Sequence, residues 1–142
     1  MADEKNQLRV RLVTPDRTIF EHTADSVELP SKSGYMEVLY GHAPLMAELT
    51  GGDVTIHGAG DGDVRYNVSW GFLEVLPDRV TILASDALKP EQIDVPRAEQ
   101  QLDRGLELWK QAGDSAEAYD EALRVIAEAE AKIASAASVA AH

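Results

Sequence analysis

The side chains of this sequence best suited to metal or proton chemistry are its four histidines, and their spacing favours neither. An HExxH pair, which would place two imidazoles on one face of a helix, does not occur in the sequence. Clustered carboxylates that could complete a metal site beside a histidine are also lacking. We therefore predict no metal site. The histidines are His22, His42, His57 and His142.

A glycine-rich run at residues 58–62 (GAGDG) is the second candidate, because glycine-rich loops can hold phosphate groups. Such a loop must open a helix and usually carries GK[ST], whereas residues 63–68 alternate like a strand. A flexible hairpin turn is the better interpretation. Ser69 lies in the segment VSWG, which does not have the GxSxG elbow of the serine hydrolases. We therefore expect a protein that is not an enzyme and requires no cofactor.

The net charge of −12 narrows the range of partners. Residues 1–87 carry 7 basic and 14 acidic side chains, and residues 88–142 carry 6 and 11, so both parts are acidic. An acidic chain is repelled by nucleic acid and by anionic lipid surfaces. Uncharged stretches are too short to cross a bilayer, so we expect no insertion into lipid. With no cysteine and no apolar segment at its start, the chain is expected in the cytoplasm.

Two periodicities in the apolar residues divide the chain. Up to Ser85 the apolar residues alternate in short runs, as they do in half-buried antiparallel strands, and turn residues separate the runs. Many short strands at regular spacing predict a β-sandwich or barrel. The predicted strands cover residues 8–12, 26–29, 35–39, 54–56, 64–68, 72–76 and 80–83.

After Ala87 the period becomes helical. Asp94 is placed to cap a first helix, and Gly113 is placed to end it. Asp114 or Ser115 can cap a second helix, and the short link predicts an antiparallel hairpin. Abundant alanine lets the two helices approach closely, but the apolar stripes are thin, so the hairpin should be held weakly. The predicted stripes are Ala98, Leu102, Gly105, Leu106, Trp109 and Ala112, and then Tyr119, Leu123, Ile126, Ile133 and Ala137.

Six motifs and one aromatic residue occur in order along the chain: 13–15 (VTP), Phe20, 25–30 (DSVELP), 41–45 (GHAPL), 68–75 (VSWGFLEV), 80–84 (VTILA) and 93–98 (IDVPRA). This series resembles the epsilon subunit family of F-type ATP synthases. The match runs from about Leu8 to the end of the chain, and the order and spacing of the motifs carry it rather than any one of them. The resemblance implies an α+β fold in two parts: an N-terminal antiparallel β-sandwich over residues 1–87, followed by a C-terminal antiparallel helical hairpin over residues 88–142.

The resemblance also implies partners. In the family the sandwich binds the gamma subunit and stands on the ring of c subunits, so this chain is expected to be peripheral, on the cytoplasmic face of the inner (plasma) membrane. His42 matches the gamma contact, although a turn residue held by Pro44 explains it equally well. The loop that touches the ring matches residues 31–40. Within that loop the expected ring contacts are Ser31, Lys32, Ser33, Gly34, Tyr35 and Glu37.

The hairpin is similar to the family's regulatory arm, which inhibits ATP hydrolysis by reaching the alpha and beta subunits. In some members the motif at its start helps to bind ATP, and here that motif supplies Asp94, Arg97 and Ala98. Arg104 matches a further arginine, and an arginine can pair with phosphate through a forked contact. A helix cap and a surface arginine explain Asp94 and Arg97 without any nucleotide.

Departures from the family pattern limit the regulatory expectation. Trp70 replaces a usual glycine, and Leu88 stands where ATP-binding members often have an acid. Residues 114–142 hold two basic side chains against six acidic ones, which suits an acidic catalytic head poorly. We therefore expect ATP to be at most a weak regulatory ligand, and inhibition to be modest. A free-standing adaptor module and a small enzyme are the alternatives, and binding to gamma would separate them.

Overall fold

The computed structural model describes residues 7–60 and 62–140. Predictions that concern residues 1–6, Asp61 and His142 lie outside this range. Within it the chain forms ten strands, a short 3-10 turn at Pro90–Gln92 and two long helices. The strands are β1 Leu8–Val13, β2 Thr18–Ala24, β3 Ser26–Ser31, β4 Gly34–Leu39, β5 Leu45–Leu49, β6 Gly52–His57, β7 Val64–Val68, β8 Gly71–Leu76, β9 Arg79–Ala84 and β10 Ala87–Leu88. The helices are α1 Val95–Gln111 and α2 Ala116–Ala140.

The strands pair in the order β10-β7-β6-β3-β5-β8-β9-β1-β2, with β4 paired to β3. Neighbouring strands are antiparallel except β1 and β9, which run parallel. These two strands are far apart in sequence, so no tight hairpin fixes their relative direction. Phe20 of β2 touches Tyr66 of β7 with ring centroids 6.4 Å apart, although the two strands lie near opposite ends of this order. The sheet therefore folds over on itself, and the predicted sandwich is confirmed.

The core of the sandwich consists of large aliphatic side chains that alternate along the strands. Leu8, Val10 and Leu12 of β1 are fully buried, while Arg9 and Arg11 between them face solvent. Strands β6, β8 and β9 alternate in the same way. The buried apolar side chains of the strands form one cluster. Removal of this apolar surface from water is the main stabilising contribution to the sandwich.

Three strands were not predicted from the sequence: β2, β5 and β10. Strand β10 has only two residues, too few to show a period, and burial explains the other two. Strand β2 is an edge strand that pairs only with β1 among the described strands, and most of its residues are exposed or half-buried. In β5 only Leu49 is fully buried. Because neither strand alternates between buried and exposed positions, the period of two that reveals a strand does not appear in its sequence.

The ends of the two helices agree with the sequence prediction. Asp94 caps α1, since its side chain accepts a hydrogen bond from the Arg97 backbone at 3.1 Å. Gly113, with φ of 57°, follows the end of α1 in the left-handed conformation that glycine tolerates best. Ser115 precedes α2, and its hydroxyl accepts a hydrogen bond from the Ala118 backbone at 3.2 Å.

The predicted helical stripes are only partly correct. Ala98, Gly105 and Ala112 are buried, but Ala137 is exposed, and so are the large side chains of Leu106, Trp109, Tyr119 and Leu123. A Cβ on Gly105 would lie 2.7 Å from Ile126 Cγ1, so the helices approach too closely for large side chains between them. The large side chains are therefore displaced to the flanks of the contact. Between the helices the buried residues are Ala98, Gly105, Ala112, Ala122 and Ala129.

Candidate functional site

The first predicted surface, for the ring of c subunits, centres on the turn between β3 and β4. Lys32 and Ser33 form the turn, and Gly34 follows with φ of 121°, which favours glycine. Ser31 is buried, and its hydroxyl donates to the Gly34 carbonyl at 2.6 Å. Ser31 therefore holds the turn, while Lys32 and Ser33 are exposed at its tip.

Tyr35 and Glu37 lie on strand β4 rather than in a loop, and both face solvent. Tyr35 is 65% exposed, yet its hydroxyl accepts a hydrogen bond from the Asp53 backbone at 3.0 Å. Glu37 lies opposite Glu28 of β3. The six predicted ring contacts thus form one continuous hairpin, of which five residues present exposed side chains or backbone.

His42 lies in the connection between β4 and β5, at the other end of β4 from the turn. Its backbone donates to the Leu39 carbonyl at 3.2 Å, and its Nδ1 lies 2.7 Å from the Ala43 carbonyl. Gly41 before it has φ of 90° and donates to the Pro77 carbonyl at 2.6 Å. The half-buried imidazole is therefore part of a fixed turn, with Nδ1 as the donor and Nε2 left as an acceptor.

A row of apolar side chains, which was not predicted from the sequence, crosses the outer face of the sandwich. Phe72 of β8 is paired with Leu83 of β9, and Leu83 is paired with Val13 of β1, so the three share a face. Phe72 is 48% exposed, Leu83 is 50% exposed, and nearby Met46 of β5 is 74% exposed. An apolar groove of about 360 Å³ runs beside this row and reaches Trp70. Contiguous exposed apolar surface of this kind is typical of protein docking sites.

A cleft of about 810 Å³ lies between the sandwich and the hairpin. This volume is typical of ligand sites. Asp94, Arg97, Ala98 and Arg104, the four residues predicted to bind ATP, all line the cleft. Arg97 and Arg104 both line the cleft because they lie two turns apart on the same side of α1. The fold therefore brings together residues that the sequence analysis could group only by resemblance.

The far wall of the cleft adds residues that sequence reasoning missed. Lys132 of α2 lines it and donates to the Ser69 hydroxyl at 2.9 Å. Glu128 also lines it, and the Trp70 backbone donates to its Oε2 at 2.8 Å. Helical spacing of four relates Glu128 to Lys132, but no sequence pattern indicates which helix face meets the sandwich.

The charges that line the cleft balance. Arg97, Arg104 and Lys132 supply three cationic groups, and Asp86, Asp94 and Glu128 supply three carboxylates. Leu88 lies among them. A polyphosphate in this cleft would meet cations suited to charge-assisted contacts and carboxylates that repel it.

His57 is the centre of a polar cluster that the spacing of the histidines did not reveal. Its Nδ1 lies 2.9 Å from Asp63 Oδ2, and its Nε2 contacts Glu28 Oε2. The hydrogen bond to Glu28, followed by that to Asp63, raises the pKa of His57 above its usual value. The same contact with His57, helped by the Gly58 backbone, lowers the pKa of Asp63. The cluster joins β3, β6 and the end of the glycine-rich turn.

Over residues 7–60 and 62–140, the structure contains no group of three or more side chains that could hold a metal ion. Within the same ranges, neither helix combines the length and the apolar character that crossing a membrane requires.

The fold and these surfaces define a class of protein: a β-sandwich with an exposed apolar docking face and a helical hairpin packed against it. The family model for the β-sandwich domain of the ATP synthase delta/epsilon chain matches residues 7–90. The chain therefore belongs to this family, and the resemblance and the non-catalytic assignment predicted from the sequence are confirmed.

Relatives and solved structures agree with the family assignment. The ATP synthase epsilon chain of Koribacter versatilis is 46% identical over 90 residues, which span 63% of this chain and 62% of that protein. The epsilon chain of Solibacter usitatus is 37% identical over 131 residues, spanning 91% of this chain and 95% of that protein. A chain of the Euglena gracilis mitochondrial ATP synthase, solved with its c-ring, shares the fold with a TM-score of 0.73 at 20% identity, over 96% of this chain and 82% of that chain.

Proposed function

We propose that this chain is a non-catalytic rotor subunit of the central stalk of an F-type ATP synthase, where its sandwich couples rotation of the c-ring to the catalytic head. The observation that carries the proposal is the apolar row of Val13, Phe72 and Leu83. A side chain such as Phe72 that stays half exposed in the isolated chain is best explained by a partner that covers it.

We assign the apolar row to the gamma subunit and the β3–β4 turn to the c-ring. Lys32 and Ser33 project at a tip, and Tyr35 and Glu37 continue the exposed surface along β4. Small, polar and charged groups suit a wet contact with a ring that is repeated around an axis. His42 follows the other end of β4, a strand of six residues, and therefore lies roughly 20 Å from the turn. We assign His42 to gamma. This arrangement implies a peripheral location on the cytoplasmic face of the membrane.

The hairpin is proposed to act as a regulatory arm that leaves the sandwich and reaches the alpha and beta subunits. Its helices approach closely at Gly105, and it forms hydrogen bonds with the sandwich through Glu128 and Lys132. ATP is proposed as a weak ligand of the cleft that stabilises the docked arm. The balanced charges of the cleft support weak binding rather than tight binding.

A pull-down against the purified gamma subunit of the same organism tests the proposal. We expect the full-length chain to bind, and Phe72→Asp to lose binding because it places a charge in the apolar row. Glu91→Lys, on the 3-10 turn and outside the row, serves as the charge-changing control and should bind normally. A free-standing adaptor would not bind gamma. Retention of gamma by a correctly folded Phe72→Asp variant would show that the row is not the docking face.

A further inference from the structure

Trp70 occupies a position between the sandwich and the hairpin. It lies in the bend between β7 and β8, and its indole makes an edge contact with Phe72, with ring centroids 5.2 Å apart. The indole Nε1 donates to Glu48 Oε2 at 3.2 Å. Glu48 in turn lies 3.9 Å from Lys32 Nζ. The ring is therefore held from the sandwich side by a neighbouring aromatic ring and by a carboxylate.

Helix α2 contacts Trp70 twice. The guanidinium of Arg124 lies over the indole, 5.4 Å from the ring centroid, in the geometry of a cation–π contact. One turn further along, Glu128 accepts the hydrogen bond from the Trp70 backbone at 2.8 Å. A single residue of the sandwich thus contacts the helix through both its side chain and its backbone.

Gly51 explains how the helix comes so close. A Cβ on Gly51 would lie 2.9 Å from Glu128 Cγ and 3.0 Å from Glu128 Cα, so the sandwich backbone and the helix backbone are in direct contact here. A shift of α2 by less than an ångström would be needed to admit even an alanine. The contact at Trp70 and Glu128 therefore depends on a glycine at position 51.

The cations of α2 are distributed in a way that points to the same contact. Residues 114–142 contain two of them, Arg124 and Lys132. Arg124 lies on Trp70, and Lys132 donates to Ser69, the residue before it. Both positive charges of an otherwise acidic helix are thus directed at one bend of the sandwich.

We propose that Trp70 is a latch, which holds the hairpin on the sandwich through Arg124 and Glu128 without any nucleotide. The proposal rests on the proposed role of the hairpin as a movable arm and specifies what keeps it docked. Because the contacts are polar and partly exposed, the latch opens reversibly. Its indole also touches Phe72, so the latch adjoins the row assigned to gamma.

Amide hydrogen exchange at residue 70, followed by NMR on the full-length protein, tests the latch. This amide is protected by Glu128 of the hairpin, so its exchange reports release of the arm even when the released state is rare. Loss of a cation–π contact should lower its protection by roughly 2- to 30-fold in Arg124→Gln and in Trp70→Leu. The double variant should lose no more than the larger single loss, because both substitutions remove one contact.

Gly51→Ala provides an independent route, since it pushes α2 away and leaves the indole unchanged. It should lower the same protection. The amide of Leu73, in the buried ladder of β8, should keep its protection in every variant, which separates release of the arm from unfolding of the sandwich. Arg17→Gln, an exposed arginine on the β1–β2 turn, is the matched control and should change neither amide.

Unchanged protection of residue 70 in Arg124→Gln and Gly51→Ala would overturn the latch, and so would fully additive losses in the double variant. If Trp70→Leu does not fold, the other two single variants still decide the matter. The measurement uses the isolated chain, so failure of the latch and failure of gamma binding give separate results.

Discussion

The sandwich and the hairpin of this chain are held together by different interactions. In the sandwich, leucine, isoleucine and valine side chains from many strands are fully buried in one cluster. In the hairpin the fully buried residues are small, and four large apolar side chains remain exposed. Polar groups of the hairpin such as Lys132 and Glu128 form hydrogen bonds with the sandwich. The comparison teaches that a large aliphatic core stabilises the sandwich, whereas the hairpin has no such core of its own.

The largest expected effect is the difference in lost stability between a substitution in the sandwich and one in the hairpin. Leu73→Ala should destabilise the sandwich by about 2–5 kcal/mol, because it removes a fully buried side chain and leaves a cavity. Leu106→Ala, on the exposed flank of the hairpin, should change stability by less than about 0.5 kcal/mol. Urea unfolding of both variants measures the difference. Equal losses would mean that the two parts form one cooperative core.

The next effect concerns nucleotide in the cleft between the two parts. We expect weak or no binding of ATP to the isolated chain by titration calorimetry. Where binding is measurable, Arg97→Ala should weaken it by roughly tenfold to a hundredfold, as expected for a lost charge-assisted bond. Asp86→Asn should strengthen it by removing a repelling carboxylate, and Arg17→Ala should leave it unchanged. Tight binding that disappears in Arg97→Ala would show that the carboxylates of the cleft matter less than its arginines.

A smaller effect concerns pH and the His57 cluster of the sandwich. Contact with Glu28 and Asp63 raises the pKa of His57 above 6.5 in the folded state. The stabilising contribution of the charged imidazole is therefore complete below pH 6.5 and is lost as the pH rises through the folded-state pKa. The pKa of Asp63 is lowered by folding, so the dependence on pH is reversed. The stabilising contribution of the Asp63 carboxylate is present above pH 3.8 and is lost as the pH falls through its lower folded-state pKa.

Thermal unfolding across this range measures the cluster. The wild-type protein should lose stability as the pH rises above 6.5, and His57→Gln should lose less over the same interval. His22→Gln replaces an exposed histidine of β2 that lacks both carboxylate partners in the part of the chain that is described, and should follow the wild type. A wild-type profile that is flat from pH 6 to 8 would argue against the cluster.

The smallest effect on stability is expected at the turn assigned to the c-ring. Glu37→Ala should change stability by less than about 0.5 kcal/mol, since the side chain is exposed. Tyr35→Phe should cost slightly more, because it removes the acceptor of the Asp53 amide. In reconstituted synthase, Tyr35→Ala and Glu37→Ala should reduce ATP-driven proton pumping. Unfolding of the sandwich by either alanine substitution would instead identify a structural residue.

From its own alternating core we predict that the sandwich, residues 1–87, folds without the hairpin and still binds gamma, and the structure suggests how to sharpen this prediction. Strand β10 pairs Ala87 with Val68 and Leu88 with Asn67. A fragment that ends at residue 87 therefore loses part of this strand, whereas one that ends at residue 90 keeps it. Comparison of the two fragments separates the contribution of β10 from that of the hairpin.

Strands and helices with strong periodicity could be predicted from the sequence, and the weakly patterned ones could not. Alternation in β1 and the caps at Asp94 and Ser115 are local features, so their consequences appear in the sequence itself. Strands β2 and β5 are partly exposed, and their residues carry no such alternation. Asp94 and Arg97 were identified by resemblance, without any indication of a cleft. Lys132 and Glu128 were missed, because contact between α2 and the sandwich joins residues more than 50 positions apart.

By itself the sequence determined the sandwich, the hairpin and the positions where the helices begin and end, since these follow from the period of the apolar residues and from the short-range chemistry of caps. The tertiary structure alone decided which residues meet across the chain. It placed Arg124 on Trp70, joined His57 to Glu28 and aligned Phe72 with Leu83 and Val13. Such contacts depend on strand register and on how closely backbones approach at Gly51 and Gly105, and both are set by packing of the whole chain rather than by local sequence.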